Sequence, residues 1–421
     1  MPATACLDVG STWTKGALVS DTGALLATAQ HATTPPEVLD GVEAVLSELG
    51  EADEVLACSS AGGGLRLAVV GQERLISAEA GYRVALSAGA KVVHVSAGEL
   101  DAAGVRALRA ASPDVVLLVG GTDGGDRKVL LHNAGKLARS RVRPPIVLAG
   151  NQEAQAEALS LLSGRTVVPT ANVLPDVGEL APGPARAAIR QVFLSHVIGG
   201  KGLSRGPAFR RLVRAVTPDA VLAGVSQLAG EDAVLVVDVG GATTDVYSAV
   251  SIQDVQERAV ALPGDRRTVE GDIGMRWSAP GILVEAAAER LTGFEGLHEF
   301  AERRAKDVDF VPDTAKEATV DLQLAALAAI LAVRRHLRMV DGRLGPRGAG
   351  LLVLSGGVFR HAPDVSQVVD QLRADPLLRP AIRSARIVVD RDYVLAPAGL
   401  LAEDGRAETA RRLLSTIDGT M

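Results

Sequence analysis

The stretch Asp8-Val-Gly10-Ser11-Thr12-Trp13-Thr14-Lys15 decides how this chain is read. It joins two apolar runs, Ala5–Val9 and Lys15–Ser20, through a turn of glycine and hydroxyl residues, the outline of a tight hairpin. Asp21-Thr22-Gly23 leads into a third run, Ala24–Gln30, so the segment predicts a three-stranded meander. The layout recurs around Asp238. Ala233–Asp238 is an apolar strand, Gly240-Gly241 a turn, Thr244–Val250 a second strand and Gln256–Leu262 the expected third. Two copies of one supersecondary unit predict a duplicated domain.

Between the copies the rhythm changes. Strand-like runs at Val92–Ser96, Val115–Val119, Ile146–Leu148 and Thr166–Pro169 alternate with helical patterns near Leu100–Ala111, Asp126–Ser140 and Glu153–Ser163. That alternation predicts βαβ units and a small parallel sheet. Gly120-Gly121-Thr122-Asp123-Gly124-Gly125 and Ala149-Gly150-Asn151 fall just after strands, where open α/β sheets place a ligand crevice. The expected division is a first domain over 1–230, carrying an inserted α/β subdomain at about 78–175, and a second over 231–421. Pro184–Val197 reads as an amphipathic helix. Ser278 is expected to cap a helix that stops at Gly293, and Asp321–Val340 to form a long buried one. Arg334-Arg335-His336-Leu337-Arg338 reads as the solvated end of that helix. The strand Gly350–Leu354 precedes Ser355-Gly356-Gly357.

Composition narrows the function. The 421 residues are 47% hydrophobic but only 3% aromatic, so small aliphatic side chains must fill the cores, and disordered, collagen-like and disulfide-scaffold classes are excluded. A net charge of −6 argues against bulk nucleic-acid binding, which needs a basic footprint. Two cysteines, Cys6 and Cys58, cannot build an iron–sulfur or all-cysteine zinc centre, and both sit in apolar runs as small buried hydrophobes. The first residues lack a signal-peptide pattern, and Leu322–Val333 is too short to cross a bilayer. The expectation is a soluble, cytoplasmic protein with no membrane role.

The chemistry rests on the two hairpins. Each can aim backbone N–H groups and hydroxyls (Gly10, Ser11, Thr12 and Thr14 in the first, Gly240, Gly241, Thr243 and Thr244 in the second) at phosphate oxygens. Asp8 and Asp238, each at a strand end, can hold Mg²⁺ through water. Lys15 can neutralise terminal phosphate charge, and Asp238 or Asp245 can orient a water. Gly356 and Gly357 allow close backbone approach by an adenine or ribose. Asp272, in Glu270-Gly-Asp-Ile-Gly274, lies either in a plain connector or in a loop beside the terminal phosphate. His196, His336 and His361 read as satisfied local partners rather than metal ligands.

This order of motifs resembles the superfamily of actin, sugar kinases and heat-shock chaperone ATPases. The resemblance implies two ribonuclease-H-like domains clamping ATP, with Asp8, Ser11, Thr12 and Lys15 on the first phosphate motif, Asp238 to Thr244 on the second, and Gly356 and Gly357 on the adenosine motif. Phe359, Arg360, His361 and Pro363 then imply that no helix starts directly after the glycines. A closer resemblance runs through Ser60-Ala-Gly-Gly-Gly-Leu65, Gly120–Gly125, Ala149–Asn151, Asn172-Val-Leu-Pro175, Lys201-Gly-Leu203, Asp238–Asp245 and Glu270-Gly-Asp-Ile-Gly-Met-Arg276. The set is similar to the MutL family of glutamate mutase (methylaspartate mutase) accessory proteins, which are unrelated to the mismatch-repair protein of that name. It implies an ATP-dependent chaperone, with ATP and Mg²⁺ as cofactors and an adenosylcobalamin-dependent mutase as partner, that drives exchange of damaged cobalamin. The strand–helix order of the insert is similar to a cobalamin-binding domain lacking the coordinating Asp-x-His-x-x-Gly signature. Two alternatives stay open on the same fold, a small-molecule kinase and an actin-like ATP-dependent scaffold.

Overall fold

The computed structural model describes residues 2–418 apart from 62–64, 74–76, 89, 194, 196–203, 205–207, 231, 251–263, 341–343 and 345–346. β1 (Ala3–Val9), β2 (Trp13–Ser20) and β3 (Leu25–Ala32) form the expected antiparallel meander, and β4 (Glu54–Ser59) returns parallel to β1. The helix Val38–Leu49 makes that crossover and buries one stripe, Val38, Val42, Val45 and Leu49, at helical spacing.

The chain then leaves this sheet. β5 (Arg66–Gly71), β6 (Lys91–Ala97), β7 (Val115–Leu118), β8 (Ile146–Leu148) and β9 (Val167–Pro169) form an all-parallel sheet in the order β6-β5-β7-β8-β9. Its strands are continuous apolar runs because both faces are covered. Leu67 and Val69 enter the core shared with the first meander, while Ala68 and Val70 enter a separate core under the insert's own helices. The parallel sheet takes in β5, which lies before the expected start at residue 78. β10 (Val213–Val216) rejoins the first sheet beside β4.

The second sheet repeats the first. β11 (Ala233–Val239), β12 (Thr244–Ala249) and β13 (Asp265–Glu270) form a meander, β14 (Ala349–Ser355) runs parallel to β11, and β15 (Arg386–Val389) parallel to β14. The orders β3-β2-β1-β4-β10 and β13-β12-β11-β14-β15 are the same topology, that of a ribonuclease-H-like domain, duplicated. The fold is therefore α/β, two such lobes of the actin-like type with a small α/β insertion in the first. The third strand expected at 256–262 lies outside the described residues; the strand that pairs with β12 is β13.

Two helices join the lobes. Thr217–Leu228 follows β10, Leu395–Glu403 follows β15, and they share one core with Cys6, Leu56, Val236 and Val353 from both sheets. They cross at glycine. A Cβ on Gly224 would lie 2.1 Å from the Leu395 carbonyl oxygen, and one on Gly399 1.7 Å from that of Ala220, so only glycine permits this approach. A second bridge runs from the insert side, where the helix Ser77–Ser87 packs on β13 and Arg186 pairs with Asp265 at 3.2 Å.

Three local expectations change. Ser278 does not cap its helix; its hydroxyl donates to the Ala242 carbonyl at 2.8 Å. A short helix, Gly357–Arg360, does start directly after Gly356, because Pro363 falls beyond its end and limits its length only. The basic run at 334–338 is paired rather than simply solvated, and only Arg338 is exposed. Arg334 is buried against Asp375 and Glu289, Arg335 pairs with Glu270 and Glu285, and Arg338 with Glu289. His336 is buried between Ser248 and Thr268 hydroxyls, and desolvation pulls its pKa down to about 3.

A candidate nucleotide cleft

The two hairpins match position by position. Asp8 faces Lys15 and Val9 faces Thr14; Asp238 faces Asp245 and Val239 faces Thr244. Each turn closes on one backbone bond, from Gly10 N–H to the Trp13 carbonyl at 3.0 Å and from Gly240 N–H to the Thr243 carbonyl at 2.9 Å. Thr14 and Thr244 are fully buried under them, Ser11 is exposed, and Thr12 is half-buried. The first turn is braced by Thr33, whose hydroxyl donates to the Gly10 carbonyl at 2.9 Å. The second is braced by the loop after β13. Met275 N–H donates to the Gly240 carbonyl at 2.9 Å, and Arg276 and Trp277 N–H groups donate to that of Gly241 at 2.8 and 3.1 Å. The motif Glu270–Arg276 is thus a clasp under the second turn. Asp272 is exposed on that clasp.

The charged groups of the two hairpins meet. Asp8, 3% exposed, accepts a hydrogen bond from the Thr217 hydroxyl and lies 3.6 Å from the Cys58 sulfur. Lys15 is half-buried, with its ammonium 3.5 Å from the centroid of the Tyr393 ring. Burial pulls that ammonium below its usual range, while Asp8 and then Asp238 oppose the shift. Asp238 is pushed up to about 6 by burial, Lys15 opposing and Asp245 and Asp8 adding. Asp245 is engaged elsewhere: Arg267 holds its carboxylate from Nη2 at 2.6 Å and Nε at 3.0 Å, and the Thr243 hydroxyl donates at 3.1 Å. At the end of β14, Gly356 takes φ +111°, and a Cβ there would lie 2.3 Å from the Val239 carbonyl, so the turn after β14 presses on the strand that carries Asp238.

Sequence reasoning did not reach Thr217, Arg267, Tyr393 and Asp390. Asp390, 1% exposed, accepts the Val394 N–H at 3.0 Å on one oxygen and leaves the other buried with no partner in the structure. Burial pushes it up to about 6, the Val394 and Leu395 amides and Arg360 opposing. Thr217 and Asp390 are each the first residue after the fifth strand of a lobe, Thr217 opening one joining helix and Asp390 shortly preceding the other. That shared position was the available signal.

Among the described residues no three His, Cys, Asp or Glu side chains group to hold a metal ion. The donors at Asp8 and Asp238 are nonetheless carboxylate oxygens, and Mg²⁺ takes one or two carboxylates together with phosphates and water. The set fits that cation and not a soft metal. Both cysteines are buried and desolvated, Cys6 up to about 12.

A duplicated ribonuclease-H-like pair with matching strand-end hairpins defines the class as that of actin-like ATPase folds. Within it, the family model described as MutL protein matches residues 4–417, and the chain belongs to the MutL family. The Protein MutL of Clostridium tetanomorphum is 34% identical over 448 aligned positions, covering 96% of each chain. Among solved structures, nucleotide-free acetone carboxylase matches at 12% identity with a TM-score of 0.41, covering 95% of this chain and 70% of that one. A nucleotide-free diol dehydratase-reactivating factor matches at 12% identity and a TM-score of 0.38, covering 96% and 99%. Likenesses this distant speak to neither substrate nor partner. Among the described residues no helix is long and apolar enough to cross a membrane.

Proposed function

We propose that the chain hydrolyses ATP between its lobes and couples that step to the release of damaged cobalamin from an adenosylcobalamin-dependent mutase. The observation that supports the nucleotide half is the meeting of Asp8, Lys15 and Asp238, from two lobes, on hairpins in the same register. The turn amides at 11–12 and 241–242 bind phosphate oxygens, Gly356 and Gly357 bind the nucleoside, and Lys15 offsets the charge of the terminal phosphates. Asp8 and Asp238 would hold hydrated Mg²⁺, which supplies charge neutralisation when bound. Asp238, when ionised, orients the attacking water. Asp245 braces its hairpin through Arg267 rather than acting as a base. That pairing also removes the residue a kinase reading would use as its base.

The mutase half rests on the motif set and on family membership. A partner that binds one interlobe angle better than another is remodelled as the angle changes. In this reading the parallel-sheet insert competes for the place of the mutase's cobalamin-binding subunit. Deleting residues 66–175 with ATPase activity and full mutase rescue retained would remove that element.

The test is ATPase activity with Mg²⁺, alone and with a purified cobalamin-inactivated mutase, beside Asp8→Ala and Asp238→Ala. Stimulation by the inactivated mutase, lost in both variants, supports the reading. Basal turnover untouched by the mutase and by either substitution overturns it.

A further inference from the structure

We propose that Tyr393 is a positioning residue for Lys15, its ring face holding the ammonium where Asp8 and Asp238 converge. The inference rests on the ATPase reading above and deepens it. Lys15 comes from β2 of the first lobe, and Tyr393 from the turn after β15 of the second. The ammonium stands 3.5 Å from the ring centroid, and among the described residues it makes no ion pair and no hydrogen bond. A cation seated on a π-face spends no donor on an anionic partner and keeps those directed away from the ring, whereas a salt bridge would first have to be broken before phosphates could take it. The ring is built into place. Tyr393 sits at φ +57°, a left-handed conformation that a bulky side chain adopts only when its surroundings impose it. The surroundings are specific. The buried carboxylate of Asp390 accepts the Val394 N–H at 3.0 Å, and Arg391 donates to the Arg360 and Ala362 carbonyls at 3.1 Å each. The turn is thereby fixed on both sides of the tyrosine.

The placement also has a partner across the hairpin. Asp8, the cross-strand neighbour of Lys15, is held by Thr217 at the start of one joining helix, and Lys15 is held by Tyr393 just before the other. Both charges of the first hairpin are therefore set by the ends of the two helices that cross at Gly224 and Gly399.

Two readouts test this on the full-length protein. The first is NMR of the protein with ¹³Cε-labelled lysine, which needs no nucleotide. The chain has seven lysines, and Lys15→Met assigns the resonance. The ε-methylene of Lys15 is expected upfield of the others through the ring current of Tyr393. It should stay there in Tyr393→Phe and move to the ordinary position in Tyr393→Leu. An ordinary shift in the wild type, or an upfield shift that survives Tyr393→Leu, overturns the proposal.

The second is steady-state hydrolysis of MgATP. Tyr393→Leu should lower kcat about tenfold with KM little changed, Tyr393→Phe should keep most of kcat, and Tyr393→Leu should cost nothing further in the Lys15→Met background. Full additivity of the two, or unchanged kcat in Tyr393→Leu, overturns it. Should Tyr393→Leu not fold, Tyr393→Met takes its place in both readouts. If the wild type shows the upfield resonance but neither binds nor turns over MgATP, the ATPase reading has failed, and the positioning role fails with it although the Lys15–Tyr393 contact stands.

Discussion

The two lobes carry one hairpin with opposite charge at one position. Lys15 and Asp245 each face the strand-end aspartate of their own hairpin, yet Lys15 rests on an aromatic face while Asp245 is tied into a buried ion pair with Arg267. Duplication supplied two equal scaffolds. One position became an available cation and the other a brace. A residue's place in a motif thus fixes where it points, and its partner fixes whether it can act.

The sharpest way to break this contrast is to remove each partner or cation. Arg267→Leu leaves the largely buried Asp245 carboxylate without its cation, held only by the Thr243 hydroxyl, and should cost about 3 kcal/mol in urea unfolding. Lys15→Met should lose about a hundredfold in turnover while stability changes by less than about 1 kcal/mol. Similar stability losses in both would erase the distinction.

A second contrast is between the residues after the fifth strands, neutral Thr217 and acidic Asp390. The pKa of Asp390 is raised from 3.8 to about 6 in the folded state, so its contribution to stability is present below about pH 4 and is lost as pH rises through about 6. Asp390→Asn should therefore gain on the wild type across that window and hold its gain above it, as pH-dependent thermal unfolding would record. Thr217→Val removes the donor to Asp8 and should cost about 1 kcal/mol with a modest fall in turnover. The smallest effect is expected at the second bridge between the lobes. The Arg186–Asp265 pair is partly exposed, so Arg186→Ala should cost well under about 1 kcal/mol, and less still at high salt.

The meanders were legible because their signal is local: an apolar run, a glycine turn and an alternating return strand. The insert was legible from its strand–helix rhythm, apart from β5. That strand, Arg66–Gly71, lies ahead of the expected boundary at 78 and was not read as an element at all. The turns of the two hairpins were legible for the same local reason. Their partners were not. Thr217 meets Asp8 from 209 positions away, and Arg267 and Tyr393 acquire roles only once β13 and the turn after β15 fold beside the hairpins. The basic run at 334–338 misled for a similar reason. Its acidic partners, Glu270, Glu285, Glu289 and Asp375, lie far off in sequence and are gathered only by the packed helices and strand.

The crossing at Gly224 and Gly399 has a mechanical meaning. Where backbone touches backbone there is no side-chain layer to compress or slide, so the joint has little slack. Any swing of one lobe against the other must therefore also move the looser second bridge, the Ser77–Ser87 helix on β13 and the Arg186–Asp265 pair.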